Sequence, residues 1–151
     1  MATTKELLDK IVQYPKQEIK NAIDGAANGI EISLTAAQLI AMNAAPIEIV
    51  AGVAGVAYEV TDLTVVFDYG TTQFTGGGAV VIEDSALTDR SATLAAAVVL
   101  AAADSVTKVA GNAGTLLVGS GLYITNDTAA FAAGDGLARI KLNYRTHVTG
   151  L

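Results

Sequence analysis

The chain contains no cysteine and no tryptophan. Without cysteine there is no disulfide framework, no thiolate metal site and no cysteine nucleophile. Histidine occurs once, as His147, and proline twice, at Pro15 and Pro46. Aromatics are scarce too, with three Phe and five Tyr. A core so poor in rings gains less per residue, at about 25 cal/mol per Å² of apolar surface removed from water. The longest nearly apolar run, Ala92–Ala103, lies between Arg90 and Asp104. It is too short for the ~20 residues of a bilayer span, so no membrane partner is expected and the chain reads as soluble. The start, Met1 to Lys20, is charged and amphipathic, unlike a secretory signal.

Cations are missing from the middle of the chain. Residues 1–20 carry four Lys against three acids, and residues 137–151 carry Arg139, Lys141 and Arg145 with no acid. Between them only Arg90 and Lys108 face twelve acids. Phosphate binding needs a concentrated basic face, so free nucleic acid is not the expected partner. A negative middle between basic ends suits complementary contacts between subunits.

What is present is small and aliphatic. Among 151 residues there are 28 Ala, 15 Gly and 43 Leu, Ile, Val or Phe. That is enough for a core, so wholesale disorder is not expected. The length suits one domain plus an arm. Surplus apolar surface on such a chain points to an interface, and hence to self-association.

Periodicity divides the chain into a helical arm, residues 1–30, and a β domain, residues 31–151. Thr3 and Glu6 have capping-box spacing. Leu7, Leu8, Ile11 and Val12 then form a helical stripe, Pro15 breaks it, and Ile19 and Ile23 continue it, which predicts helix over residues 3–24. Residues 25–29 read as a linker. Thr35 and Gln38 predict a second capping box and a short helix that ends by Pro46.

Beyond Pro46 the pattern turns to strands. They are expected at Ile47–Val50, residues 58–69, Ala79–Ile82, Ser105–Val109, Thr115–Val118, Leu122–Thr125 and Leu137–Val148. In residues 58–69, Leu63, Val65, Phe67 and Tyr69 share one face, and Asp62, Thr64 and Asp68 the other. The last strand alternates throughout, with Ala138, Ile140, Leu142, Tyr144, Thr146 and Val148 opposite Arg139, Lys141, Asn143, Arg145 and His147. Ala92–Ala103 reads as a short helix or loop-helix, because alanine favours helix. Short strands separated by glycine turns predict a mainly β fold, an antiparallel β-sandwich or jelly-roll-like barrel with a helical N-terminal arm.

Chemical motifs are weak by comparison. No Gly-x-Ser-x-Gly elbow accompanies His147, which reads as a solvated or inter-subunit histidine. Asp62 and Asp68 share a face but stand ~20 Å apart along an extended strand, too far for a carboxylate pair. Glu83 and Asp84 point to opposite faces. Gly76–Gly78 lacks the Gly-Lys-Ser/Thr ending of a phosphate loop, and Gly119-Ser-Gly121 lacks a third glycine and a following helix; both read as turns. Asn126, Asp127 and Asp135 do not have calcium-loop spacing. Arg139, Lys141 and Arg145 are expected to pair across strands with acids such as Asp62 and Asp68. No catalytic, cofactor-binding or metal residue is assigned, no cofactor is expected, and the chain does not read as an enzyme.

Three stretches resemble small tailed-phage virion proteins. They are Leu34-Thr-Ala-Ala-Gln-Leu-Ile-Ala-Met-Asn-Ala-Ala-Pro46-Ile-Glu-Ile-Val50, Phe67-Asp-Tyr-Gly-Thr-Thr-Gln-Phe-Thr-Gly-Gly77-Gly78, and Leu122-Tyr-Ile-Thr-Asn-Asp-Thr-Ala-Ala-Phe-Ala-Ala-Gly-Asp-Gly136. With the final strand they span roughly residues 33–148. The family resembled is that of tailed-bacteriophage capsid decoration, or cement, proteins. The resemblance implies a homotrimer on the outer capsid surface, bound to the phage major capsid protein over junctions between its subunits. It implies a virion protein made in the host cytoplasm. Residues 1–30 fall outside the resembling region. They are open to contact with the capsid, with a neighbouring subunit or with their own domain. Two alternatives stand beside this reading: another virion part (head fibre base, tail or receptor-binding component), and a glycan-binding β-sandwich using Tyr58, Tyr69, Phe74, Tyr123, Phe131 and Tyr144.

Overall fold

The structure, a computed structural model, describes residues 24–150. The helix expected over residues 3–24 lies outside the described residues, except for Asp24, which sits in a turn. Residues 25–29 were expected to link arm and domain, but residues 26–29 open a strand instead. β1 (Ala26–Leu34) pairs antiparallel with the last strand from Ala26↔Thr146 to Leu34↔Ala138. The alanines and glycine there carry no strand signature. Their partner supplies it, and Asn28 Nδ2 reinforces the pairing by donating to Thr146 Oγ1 at 3.0 Å.

The second capping box forms as expected. Thr35 Oγ1 accepts from Gln38 N at 3.3 Å, and Gln38 Oε1 accepts from Thr35 N at 2.9 Å, opening α1 (Ala36–Ala41). The remaining strands are β2 (Ile47–Val50), β3 (Val56–Asp68), β4 (Thr75–Gly76), β5 (Val80–Asp84), β6 (Ser105–Ala110), β7 (Leu122–Asn126), β8 (Phe131–Ala132) and β9 (Leu137–Val148). The fold is mainly β. One sheet has the order β1-β9-β3-β6, a second β2-β7-β5, and β4 pairs with β8; all pairings are antiparallel.

The two larger sheets share one core. Leu63, Val65, Phe67, Ala138, Ile140 and Leu142 from the first meet Ile49, Val80, Ile82, Leu122 and Ile124 from the second. Leu39 and Met42, from α1 and its C-cap, are buried in the same cluster. Thr61 is an extra residue in β3: Val60 faces Tyr144 and Asp62 faces Asn143. The bulge shifts the alternation by one, so Tyr58 and Val60 share the inner face with Leu63, Val65 and Phe67.

Ala92–Ala103 is not a helix beyond one 3₁₀ turn at Ala96–Val98. The chain just before that turn bridges the two sheets. Glu83 pairs with Asp89 and Val80 with Leu94 along the edge of β5, while Ser91 pairs with Gly111 beyond β6. Burial of Leu94 and Val99 overrides alanine's helix preference. Thr115–Val118 is not a strand either, because no described strand lies beside it; Leu117 and Val118 are exposed.

Close backbone approach is tightest at two glycines. A Cβ on Gly78 would stand 1.4 Å from the Asp127 carbonyl oxygen, and one on Gly111 1.6 Å from that of Val60. Gly78→Ala is therefore expected to lower the unfolding free energy in urea by more than about 1 kcal/mol. An unchanged midpoint would show that this crossing can open without loss.

Candidate interaction surfaces

The outer face of the four-stranded sheet is a lattice of paired charges. Arg139 lies 3.5 Å from Asp68, Lys141 3.4 Å from Glu31 and Lys108 3.3 Å from Asp62. Asn143 also donates to Asp62 at 2.8 Å. The expected basic stripe is thus largely neutralised across strands; among the described residues Arg145 alone of its members has no ion pair. Such exposed pairs contribute little stability, about 0–1 kcal/mol each, but among the described residues they leave no concentrated cationic patch on this sheet.

His147 lies on this same face. Its Nε2 is 2.7 Å from Glu59 Oε2 and its Nδ1 4.0 Å from Asp24 Oδ1. Asp24 Oδ1 also accepts the Val148 amide at 2.9 Å. The histidine faces carboxylates on both sides and no hydroxyl nucleophile, so it ties the turn before β1 to the end of β9.

The other expected sites are dispersed. Asp62 and Asp68 each hold a separate cation. Asp84 is buried and Glu83 is directed outward, as their alternation predicts. Gly76 and Gly119–Gly121 lie in short strands and turns between strands. Asp135 joins two loops: its carboxylate accepts from Thr71 N at 2.8 Å, Thr71 Oγ1 at 2.6 Å and Thr72 N at 2.7 Å. Those bonds, led by the Thr71 hydroxyl, hold its carboxyl below the ordinary range. The six aromatics named for a sugar platform are dispersed, with Tyr123 on the three-stranded sheet. Phe74 and Phe131 are buried, Tyr58 packs edge-on to Tyr144 at 5.5 Å, and Tyr69 donates to the Thr71 carbonyl.

Two features escaped the sequence. The first is a buried ion pair. Arg90 Nε donates to Asp84 Oδ2 at 2.7 Å, Nη2 donates to the same oxygen, and Nη1 donates to the Thr115 carbonyl at 2.8 Å. Asp84 Oδ1 also accepts the Ala86 and Thr88 amides at 2.8 and 3.2 Å. Burial pushes the Asp84 carboxyl up, but the Arg90 hydrogen bond, the amides and the guanidinium charge together hold it below its ordinary value. The only clue in sequence was an isolated arginine amid acids.

The second is an acidic row on the outer face of the three-stranded sheet. Glu48 faces Tyr123, Tyr123 faces Glu83, and Glu83 faces Asp89. Tyr123 donates to Glu48 at 2.9 Å. Among the described residues no cation pairs with Glu48, Glu83, Asp89 or Asp127. Burial, then the charges of Asp89, Asp127 and Asp84, raise the Glu83 carboxyl; burial and Asp127 raise that of Asp89. Beside the row runs a shallow groove of about 280 Å³, lined by Pro46, Glu83, Asp84, Ser85, Leu87 and Tyr123. Leu87 is 73% exposed at its rim. The row depends on strand order, which the sequence does not display.

No protein-family model matches the chain, and no curated protein matches it. The fold is shared with a chain titled as part of the capsid asymmetric unit of cyanophage Pam1. That likeness covers 81% of this chain and 86% of the other, at 18% sequence identity and a TM-score of 0.51. At that identity the kinship is one of fold. The described residues are thus an antiparallel β-sandwich of a type present in a phage capsid.

Proposed function

We propose that the chain is a bacteriophage virion protein that decorates the outside of the head. In this reading it forms a homotrimer, binds the major capsid protein and stabilises junctions between capsid subunits. It has a structural role, not an enzymatic one, and is made in the host cytoplasm before reaching the virion. The fold shared with a chain of the cyanophage Pam1 capsid asymmetric unit is the observation that carries the reading. Two further observations support it. The candidate catalytic groups are taken up by structural bonds: His147 by Glu59 and Asp24, Asp62 by Lys108, Asp84 by Arg90. Apolar side chains remain open at loops, notably Val53, Leu87, Leu117 and Val118. A shell junction under internal pressure is strengthened by many repeated contacts, each of them modest.

Light scattering on the purified full chain is expected to give three copies, and sedimentation with expanded capsids is expected to carry the protein into the pellet. A stable monomer that stays in the supernatant would overturn the reading. In the same reading the N-terminal arm, four of whose residues are lysines, reaches the shell, a neighbouring subunit or its own domain, and the first of these is the one tested by removing residues 1–24. Their deletion is expected to weaken co-sedimentation; undiminished binding would remove them from contact with the shell.

A further inference from the structure

The four-stranded sheet has two open edges, and they match each other. β1 has β9 as its only partner strand among the described residues, and β6 has β3. β1 pairs over nine residues without a bulge and carries neither proline nor lysine, which commonly guard an edge. On β6 the bridging segment reaches only the far end, where Ala92 N donates to the Ala110 carbonyl at 2.8 Å.

Register makes the edges complementary. On the outer face Glu31 faces Lys141, Lys141 faces Thr64, and Thr64 faces Lys108, a straight row across the sheet. The row begins with a carboxylate on one edge and ends with an ammonium on the other. On the inner face the adjacent row runs Ile30, Leu142, Leu63, Val109. Its two ends, Ile30 and Val109, are partly buried aliphatic side chains packed against the core. Strand direction alternates across the sheet, so β6 of one copy beside β1 of another continues the antiparallel order. Ala92 already covers the edge at Ala110, so the open stretch of β6 is Ser105–Lys108, where Lys108 would meet Glu31, Thr107 would meet Ile32 and Val106 would meet Ser33.

We propose that copies of this chain associate edge to edge, β1 of one against β6 of the next, with Glu31 opposite the partner's Lys108. The contact uses two different edges, so it is heterologous and closes into a ring when the rotation allows. The proposal rests on the self-association in the reading above and names the surfaces that produce it. Each charge gains a second counter-ion, because Glu31 already lies 3.4 Å from Lys141 and Lys108 3.3 Å from Asp62. Both remain accessible, at 48% and 62% side-chain exposure.

Zero-length carbodiimide coupling of the full chain, read by peptide mass spectrometry, tests this directly. Within one chain Glu31 and Lys108 stand three strand spacings apart, about 14 Å, so only neighbouring copies can join them. A Glu31–Lys108 amide in the oligomer supports the proposal. Glu31→Lys is expected to weaken association roughly five-fold per interface, since like charges then oppose each other. Adding Lys108→Glu is expected to restore it, although both intrachain pairs are lost in that double variant. An oligomer coupled only at other residues overturns edge pairing and leaves self-association standing. A monomer at every concentration overturns both. An oligomer that carries the amide but ignores capsids supports edge pairing and overturns the capsid reading.

Discussion

Arg90→Met is expected to destabilise the protein by about 3–5 kcal/mol, measured by urea unfolding at neutral pH. The methionine fills much of the space but leaves the Asp84 carboxylate buried with only two backbone amides. Asp84 is 3% exposed, so little water reaches it to replace the guanidinium. The pH dependence separates this cause from lost packing. In the native protein Asp84's carboxyl is held below its ordinary value of 3.8. Its contribution is therefore complete above that value and is lost as pH falls through the lower, folded one. In the variant a protonated Asp84 no longer needs the arginine. The deficit against the native protein should narrow steadily as pH falls below 4. A deficit that stays constant with pH would assign the loss to packing and exclude the ion pair as its cause. Arg90 Nη1 also holds the Thr115 carbonyl, so proteolysis of the loop around Thr115 should rise in the same variant.

Phe74→Ala should cost about 3–5 kcal/mol, a fall in melting temperature of roughly 10–20 °C. Phe74 is 2% exposed and stands between two rings, with centroids 6.1 Å from Phe67 and 6.1 Å from Phe131. A chain with three phenylalanines has put all of them in one cluster. Glycines let the backbone close over it: a Cβ on Gly134 would stand 2.4 Å from the Phe74 ring, and one on Gly77 2.0 Å from the Phe131 ring. The cavity left by alanine cannot be filled by those glycines, so little relaxation is available. Phe74→Leu should lose distinctly less. Equal losses would show that ring–ring contact, and not filled volume, sets the stability here.

These effects show where sequence reading reaches its limit. β9 was legible end to end because its alternation is continuous, and half of every residue pair faces the core. The lower half of β3 was legible for the same reason. Its upper half was not, because one bulged residue at Thr61 changes which side chains point inward, and nothing in the local pattern marks that residue. Thr35 and Gln38 were legible since a capping box is a three-residue event. Ala92–Ala103 misled because alanine's helix preference, below 1 kcal/mol per residue, is small beside the burial of Leu94 and Val99.

The candidate surfaces divide in the same way. Alternation alone placed Arg139, Lys141 and Arg145 on one polar face and anticipated acidic partners across the sheet. It did not choose those partners. Lys141 took Glu31, from a segment adjoining the expected linker, and Asp62 took Lys108. The acidic row and the paired edges of the large sheet were invisible for a simple reason. Each joins residues from strands far apart in the chain, and their neighbourhood is set by strand order and register.

By itself, the sequence determined that the protein has no cysteine chemistry, a small-residue aliphatic core, a mainly β fold and a charge layout with its cations concentrated at the two ends. Those follow from composition and from periods of two or three residues, which are local. Only the tertiary structure decided that Arg90 is buried on Asp84, that three scarce phenylalanines share one cluster, and which carboxylates among the described residues remain without a cation. Those depend on long-range pairing, where shifting one strand by a single residue would turn every side chain to the other face.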